Sequence, residues 1–159
     1  MKEILLRILE QLNIIKLRAP TANGQKVLEF CLKHLDKSFG NQYVDLGCAE
    51  EVNAIANYAL GFQIGGGVST RLMYLALQNR KRFLRVPEKY LVGGEIIISP
   101  TGYGNGNIAN GHVGLYLGNQ LIGSNDSHDG KFKRNYSIRS WKDRYVIAGG
   151  FPMEFYRIL

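Results

Sequence analysis

Hydrophobic residues recur at helical spacing through the first half of the chain. They repeat every three or four positions over residues 2–17 and 24–38, with the turn-forming segment APTANG between the two runs. A third run, CAEEVNAIANYALGF, begins at Cys48 and keeps its apolar side chains on one face. A fourth begins at Ser69 and continues to Asn79. The pattern predicts four helices, the third of which starts at Cys48.

From Tyr90 onward the hydrophobic pattern is that of short strands. Gly, Asn or Pro interrupts five β-rich runs: LVGGEIIISP, GHVGLYLG, NQLIGSND, RYVIAGGFPM and EFYRIL. Helices followed by strands favour an α+β fold, with N-terminal helices packed on a C-terminal antiparallel β-sheet. The chain of 159 residues has the size of one domain and contains no repeat or low-complexity segment, so we expect a single domain over 1–159.

Composition adds a strong positive charge to this picture. The formal net charge is +7 and the pI is about 9.5, with the excess in residues 79–85 and 131–144. Such a surface favours an anionic partner, a class that includes nucleic acid, lipid surfaces and anionic wall polymers. An ordinary solvated basic surface is the alternative, and charge alone does not choose between these.

No segment is predicted to cross a membrane or to direct export. No apolar run approaches the roughly 20 residues that a membrane-spanning helix needs. The apolar N-terminus carries Glu3, Arg7 and Glu10, which interrupt the continuous apolar core that a signal peptide requires. We therefore expect a protein that is made in the cytoplasm and reaches its site of action by another route.

The two cysteines occupy different sequence settings. Cys31 lies in VLEFCLKHL, on the apolar face of a predicted helix, which is typical of a buried thiol that packs as a small hydrophobe. Cys48 begins a helix, where unpaired backbone amides and the positive end of the helix dipole stabilise a thiolate. This makes Cys48 a candidate nucleophile, although a cysteine that merely packs at a helix start fits the same position.

One of the three histidines stands where a catalytic base is needed. His112 begins the predicted strand HVGLYLG directly after a glycine-rich segment, so a rigid strand would hold its imidazole beside a loop. His34 lies in a predicted helix, where a surface role is simpler. His128 lies between Asp126 and Asp129, but no second histidine or cysteine stands at ligand spacing. We therefore expect no metal site and no organic cofactor, with calcium bound by the aspartates as the alternative.

Hairpin geometry supplies a candidate third residue. Gly118-Asn119 suits a two-residue type II′ turn, and counting outward from that turn places Asn125 opposite His112 on the same side of the sheet. A side-chain oxygen in that place would orient the imidazole. A turn at Asn119-Gln120 would instead give this place to Ser127.

Three blocks of sequence resemble the papain-like cell-wall cysteine peptidases, the superfamily of the NlpC-type endopeptidases and the CHAP amidohydrolase/peptidase domains. In chain order they are GCAEEVN (47–53), VGGEIIISPTG (92–102) and GHVGLYLGNQLIGSND (111–126). They define a core motif region over 43–126. One feature departs from the family: Gly47 precedes the cysteine and Ala49 follows it, where the family commonly has aspartate-cysteine-serine-glycine.

The resemblance implies a papain-like fold with Cys48 as nucleophile, His112 as general base and Asn125 as the polar residue that orients the base. It also implies that the backbone amide of Cys48 contributes to an oxyanion hole. Outside the core motif region, residues 1–40 would be a helical N-terminal elaboration and residues 131–159 basic C-terminal strands.

Residues and resemblance together predict a cysteine hydrolase that cleaves amide bonds in bacterial peptidoglycan peptides, as an endopeptidase or amidase of the phage-lysin type. Tyr43 and Tyr116 are candidates to line its cleft. We expect peptidoglycan as the partner, with anionic wall polymers held by the basic surface, and holin-type release or delivery on a particle. One alternative is an effector of the same fold that transfers an acyl group or cleaves another peptide. The other is a non-catalytic module that binds cell wall or nucleic acid.

Overall fold

A computed structural model describes residues 2–40 and 42–159, except for the side chain of Lys2. Four helices come first: α1 (Lys2–Arg18), α2 (Ala22–Lys33), α3 (Cys48–Leu60) and α4 (Thr70–Leu77). The strands that follow are β1 (Phe83–Arg85), β2 (Ile96–Ser99), β3 (His112–Gly118), β4 (Leu121–Asn125), β5 (Phe132–Ser137) and β6 (Glu154–Ile158). A 3-10 turn (Glu88–Tyr90) precedes β2, and α5 (Ile138–Trp141) and a π-helix (Lys142–Ala148) lie between β5 and β6.

The strands form one antiparallel sheet in the order β1-β6-β2-β3-β4-β5. The predicted α+β fold, with N-terminal helices packed on a C-terminal antiparallel sheet, is confirmed. Strand β1 was not predicted, because its three residues lie in a cluster of basic residues whose charge obscures the alternation of a strand.

The sheet separates two hydrophobic clusters. In β3, Val113 and Leu115 belong to the helix-side cluster, which contains the apolar faces of α2 and α3. Tyr116 belongs to the second cluster, which contains Trp141 and Tyr145. Successive β3 side chains therefore enter opposite layers, as the period of two in a strand requires. His112, at the start of this internal strand, packs its ring against Trp141 and Tyr145 of the second cluster.

A buried ion pair fastens the N-terminal helix to the sheet. The Arg157 guanidinium lies 2.8 Å from a carboxylate oxygen of Glu95, and both side chains are almost fully buried. Arg157 Nη1 also donates to the carbonyl oxygen of Leu17, at the end of α1. The remainder of α1 is exposed from Glu3 to Asn13.

The segment RYVIAGGFPM, which was predicted as a strand, begins instead in the π-helix. The helical segment starts at a capping box formed by Ser137 and Ser140. Its buried side chains, Ile138, Trp141 and Tyr145, are spaced three and four residues apart, which is helical spacing. The predicted strand character of residues 131–159 is thus confirmed for β5 and β6 and is wrong between them.

None of the helices in the described part of the chain is both long enough and apolar enough to cross a bilayer.

Candidate active site

A cleft of about 810 Å³ opens between the helices and one end of strands β3 and β4. Its walls come from the starts of α3 and α4, the segment before β3, the end of β4, and the helical segment after β5. Cys48 and His112 both line this cleft. The fold therefore brings the candidate nucleophile and the candidate base into one site, although 63 residues of sequence separate them.

Cys48 is the first residue of α3, as predicted. Burial raises the pKa of its thiol to about 11; a backbone hydrogen bond to Val113 opposes the rise, and the charge of Glu51 adds to it. The helix-start argument predicted a lowered pKa, but burial outweighs it because only 7% of the residue is exposed. The resting thiol therefore keeps its proton at neutral pH. Since Val113 follows His112 in the chain, the thiol lies against the start of β3.

Cys31, the second cysteine, can be compared with Cys48. It is fully buried on α2 within the helix-side cluster, so the prediction of a core thiol is confirmed. Burial also raises the pKa of its thiol, and the charge of Glu51 adds to the rise. Cys31 does not line the cleft.

Aromatic rings surround the imidazole of His112. Its ring centroid lies 5.2 Å from that of Trp141, 5.4 Å from that of Tyr145 and 5.6 Å from that of Tyr136. The Tyr145 ring is nearly parallel to the imidazole, at 14°. Burial lowers the pKa of His112 to about 3, and the positive charge of Arg144 adds to this effect. The resting imidazole is therefore neutral, which is the form that accepts a proton.

A chain of side-chain hydrogen bonds determines which imidazole nitrogen of His112 carries the proton. Nε2 of His112 lies 2.8 Å from Oγ of Ser124. The Ser124 hydroxyl donates its hydrogen to Oδ1 of Asn135 at 2.7 Å, so the serine oxygen accepts from Nε2–H. Nδ2 of Asn135 donates to the backbone oxygen of Asn125, which fixes the amide orientation. Nδ1 of His112 is consequently the unprotonated nitrogen.

The predicted register of the β3–β4 hairpin is wrong. The central turn residues are Asn119 and Gln120, both with positive φ (50° and 65°), which corresponds to a type I′ turn rather than the predicted type II′ turn. An irregularity between Tyr116 and Gly118 then shifts the pairing, so that Leu115 lies opposite Gly123. Continued to the start of β3, this register places neither Asn125 nor Ser127 opposite His112.

Asn125 lines the cleft but does not occupy the predicted position. Its Nδ2 donates to the backbone oxygen of Val44 at 2.7 Å, which holds the segment before α3 against the end of β4. The contact with the imidazole that was predicted for Asn125 is made by Ser124, the preceding residue. A shift of one residue along a strand turns a side chain to the other face, which is why the register error changed the residue.

The two tyrosines predicted to line the cleft do not do so. Tyr116 is 5% exposed in the second cluster, and its hydroxyl oxygen accepts from the backbone amide of Gln120. Tyr43 is 47% exposed and lies outside the lining of the cleft. Tyr136 and Tyr145 line the cleft instead, and they follow the last block of sequence that carried the family resemblance.

The loop that leads into His112 is fixed by two threonines. Oγ1 of Thr70, at the start of α4, donates to Oγ1 of Thr101 at 2.9 Å. Thr101 Oγ1 in turn accepts from the backbone amide of Gly111, also at 2.9 Å. The helix α4, the end of β2 and the residue before His112 are therefore joined at one wall of the cleft.

The polar turn around His128 is an ion-pair cluster. Oδ1 of Asp126 accepts from the backbone amide of His128, and Lys133 Nζ lies 3.3 Å from Asp126 and 2.8 Å from Asp129. These contacts, the backbone hydrogen bond first, lower the pKa of Asp126. Among the described residues, no three histidine, cysteine or acidic side chains are grouped so that they could hold a metal ion.

Neither a scan of protein-family models nor a search of curated proteins returned a significant match to this chain. The case for a function therefore depends on the chemistry of the cleft and on the three sequence blocks that resemble the cell-wall peptidases.

Proposed function

We propose that the chain is a cysteine hydrolase that cleaves amide bonds in the peptides of the bacterial cell wall. The observation that carries the proposal is the shared cleft, which is lined by both a thiol at the start of α3 and a neutral imidazole at the start of β3. A nucleophile and an oriented base in one cleft are the two groups that acyl transfer to a thiol requires.

The proposed reaction starts from a neutral pair. As the sulfur of Cys48 attacks the amide carbonyl, the thiol proton passes to Nδ1 of His112 and a carbon–sulfur bond forms. His112 then gives this proton to the leaving amine, and the carbon–nitrogen bond breaks. Water hydrolyses the resulting thioester with His112 again as the base. Because the raised thiol pKa disfavours a preformed thiolate, proton transfer accompanies the attack.

The start of α3 supports the negatively charged intermediate. The first amides of a helix have no partner within the helix, and Gly47, the N-cap residue, supplies no side chain to cap them. The amide of Cys48 is one of this group, and the proposal assigns it to the carbonyl oxygen of the substrate.

Among the described residues, no hydrogen bond joins Cys48 to His112. Catalytic hydrogen bonds are often long before substrate binds and shorten in the reactive complex. The proposal therefore assigns their direct contact to the substrate-bound state. Ser124 orients the imidazole in both states.

The test is digestion of purified peptidoglycan from several bacteria, followed by mass spectrometry of the soluble peptides. We expect the wild-type protein to release peptides, the Cys48→Ala variant to release none above background, and Cys31→Ala to match the wild type. Cys31 is the matched control because it is the other buried thiol and lies outside the cleft. Equal release by the wild type and Cys48→Ala, or no release from any wall, would overturn the proposal.

The fragment masses also separate an endopeptidase from an amidase. An endopeptidase leaves part of the peptide stem on the glycan, whereas an amidase frees the whole stem. The same assay addresses the phage-lysin assignment, because a lysin acts on intact walls that are added from outside. An effector that acts on another acyl substrate would keep Cys48-dependent labelling by thiol reagents but release nothing from walls.

A further inference from the structure

An arginine stands beside the candidate base. Arg144 lies on the π-helix, and the next residue, Tyr145, stacks on the imidazole of His112. The Arg144 guanidinium lies 5.6 Å from the Tyr145 ring centroid and forms a hydrogen bond with that tyrosine. Its side chain is exposed and lines the cleft. A π-helix is rare in proteins and occurs frequently at functional sites.

The acidic side chains of the described residues leave Arg144 without an ion pair. The ion pairs formed by arginines are those of Arg85 with Glu154 and Arg157 with Glu95. Asp126, the cleft carboxylate nearest the end of β4, is bound by Lys133. A second carboxylate, that of Asp45, also lines the cleft, and no ion pair joins it to Arg144. Arg144 is thus an exposed positive charge that lines the cleft without an ion pair to a described carboxylate.

The positive charge of Arg144 disfavours the protonated form of His112. His112 must become positively charged when it takes the thiol proton, and a nearby cation disfavours that form. After burial, Arg144 is the largest cause of the lowered pKa of His112. An anion bound to Arg144 would offset its positive charge, so that His112 could accept the thiol proton more readily.

A second arginine lines the same cleft from another wall. Arg71 is in the first turn of α4, and its side chain lies close to the backbone of Gly102. It too is exposed and forms no ion pair with a described carboxylate. Two exposed guanidinium groups that form no ion pair with a described carboxylate therefore line the cleft that contains Cys48.

We infer that the cleft selects peptides that carry a carboxylate beside the scissile amide, and that Arg144 is the residue that binds this carboxylate. The inference rests on the proposed hydrolase function and defines its substrate class. A guanidinium presents parallel N–H donors that match the two oxygens of a carboxylate, so an arginine separates a carboxylate from its neutral carboxamide. Arg71 provides positive charge on a second wall.

The inference predicts how each kinetic constant responds. With an acidic substrate, loss of Arg144 removes binding and raises KM. With the carboxamide form, Arg144 stays uncompensated beside His112 and lowers kcat, so its removal raises kcat. In a variant without Arg144, the two effects together reduce the preference for the acidic substrate, measured as its kcat/KM divided by that of the carboxamide substrate. We expect this ratio to be about 10 to 100 in the wild type and close to 1 in Arg144→Gln.

The experiment uses a synthetic wall-type peptide that the full-length wild-type protein cleaves, together with versions in which each carboxylate is converted singly to a carboxamide. Side-chain and C-terminal carboxylates are thereby tested separately, and the version that reacts slowly identifies the bound group. Each peptide is assayed with the wild type, Arg144→Gln and Arg139→Gln. Arg139 is the matched control, because it is an exposed arginine on α5 that does not line the cleft.

Loss of the acid preference in Arg144→Gln, with Arg139→Gln unchanged, supports the inference. If the wild type cleaves every carboxamide version as fast as the parent peptide, the carboxylate inference is wrong while the hydrolase function stands. A preference that persists in Arg144→Gln also overturns it. If no wall-type peptide is cleaved and walls release nothing, the proposed function fails. Thermal melting of each variant checks that all three proteins are equally folded.

Discussion

At the scale of single residues, burial decides the ionisation of the site. The thiol of Cys48 and the imidazole of His112 are both shifted toward their neutral forms, to pKa values of about 11 and about 3. A preformed thiolate–imidazolium pair requires the opposite order, with a thiol pKa below that of the imidazole. The resting cleft therefore contains a protonated thiol and a neutral imidazole, and the proposed mechanism requires proton transfer during attack.

This ionisation predicts the pH dependence of thiol labelling. Iodoacetamide reacts with thiolate, so its rate with Cys48 should rise continuously from pH 6 to pH 10 and level off only near pH 11. A Cys31→Ala background leaves one thiol to follow by intact mass. Because His112 stays neutral above about pH 3, its titration adds no step in this range. A plateau that is reached below pH 8 would reveal a thiolate–imidazolium pair and contradict the account.

At the scale of secondary-structure elements, three neighbouring strands position the base. His112 is on β3, Ser124 on β4 and Asn135 on β5, so the hydrogen-bond chain crosses the sheet. Groups that are held by adjacent strands of a sheet keep their relative positions better than groups on loops. In the proposed mechanism, Ser124 and Asn135 are thus positioning residues, which act through His112.

Removal of the Ser124 hydroxyl should therefore lower kcat rather than affinity. We expect Ser124→Ala to reduce kcat by about 10- to 100-fold with KM unchanged, because the imidazole loses its orientation. The comparison variant is Ser127→Ala, which removes an exposed hydroxyl from the same cleft. Full kcat in Ser124→Ala, or an equal loss in Ser127→Ala, would remove Ser124 from the mechanism.

The sequence predicted the helices and strands around the site better than it predicted the pairing register of β3 with β4. Helix α3 and strand β3 follow from hydrophobic spacing, and with them the positions of Cys48 and His112. The orienting residue was missed because an irregularity between Tyr116 and Gly118 changes the pairing by one residue, and no local pattern marks it. The helical segment that contains Tyr145 did carry a signal, namely apolar residues at helical spacing that the β-rich composition obscured.

Arg144 was beyond sequence reasoning for a different reason. It lies in a basic stretch, 131–144, where one arginine resembles the next. Only the packing of the π-helix on β3 separates it from Arg139, which is exposed away from the cleft. Chemical roles that depend on tertiary contacts of this kind cannot be derived from composition or spacing.

At the scale of the whole molecule, the site lies where the two halves of the fold meet. The helical half supplies Cys48 and Arg71, and the half that contains the sheet supplies His112, Ser124 and Arg144. Neither half contains both members of the proposed Cys48–His112 pair, so the proposed activity requires the assembled domain. Under the proposed function, the net charge of +7 would attract anionic walls and increase the rate of encounter with them.

The most direct test of the central claim is whether the base is as necessary as the nucleophile. The measurement is the rate of soluble peptide release from purified walls by His112→Ala, compared with Cys48→Ala and with His128→Ala, the exposed histidine of the same cleft. When two residues act as one catalytic unit, removal of either one abolishes nearly all of the enzyme's activity. The account predicts background release by His112→Ala and Cys48→Ala and wild-type release by His128→Ala. Release by His112→Ala within about tenfold of the wild type would contradict a Cys48–His112 pair.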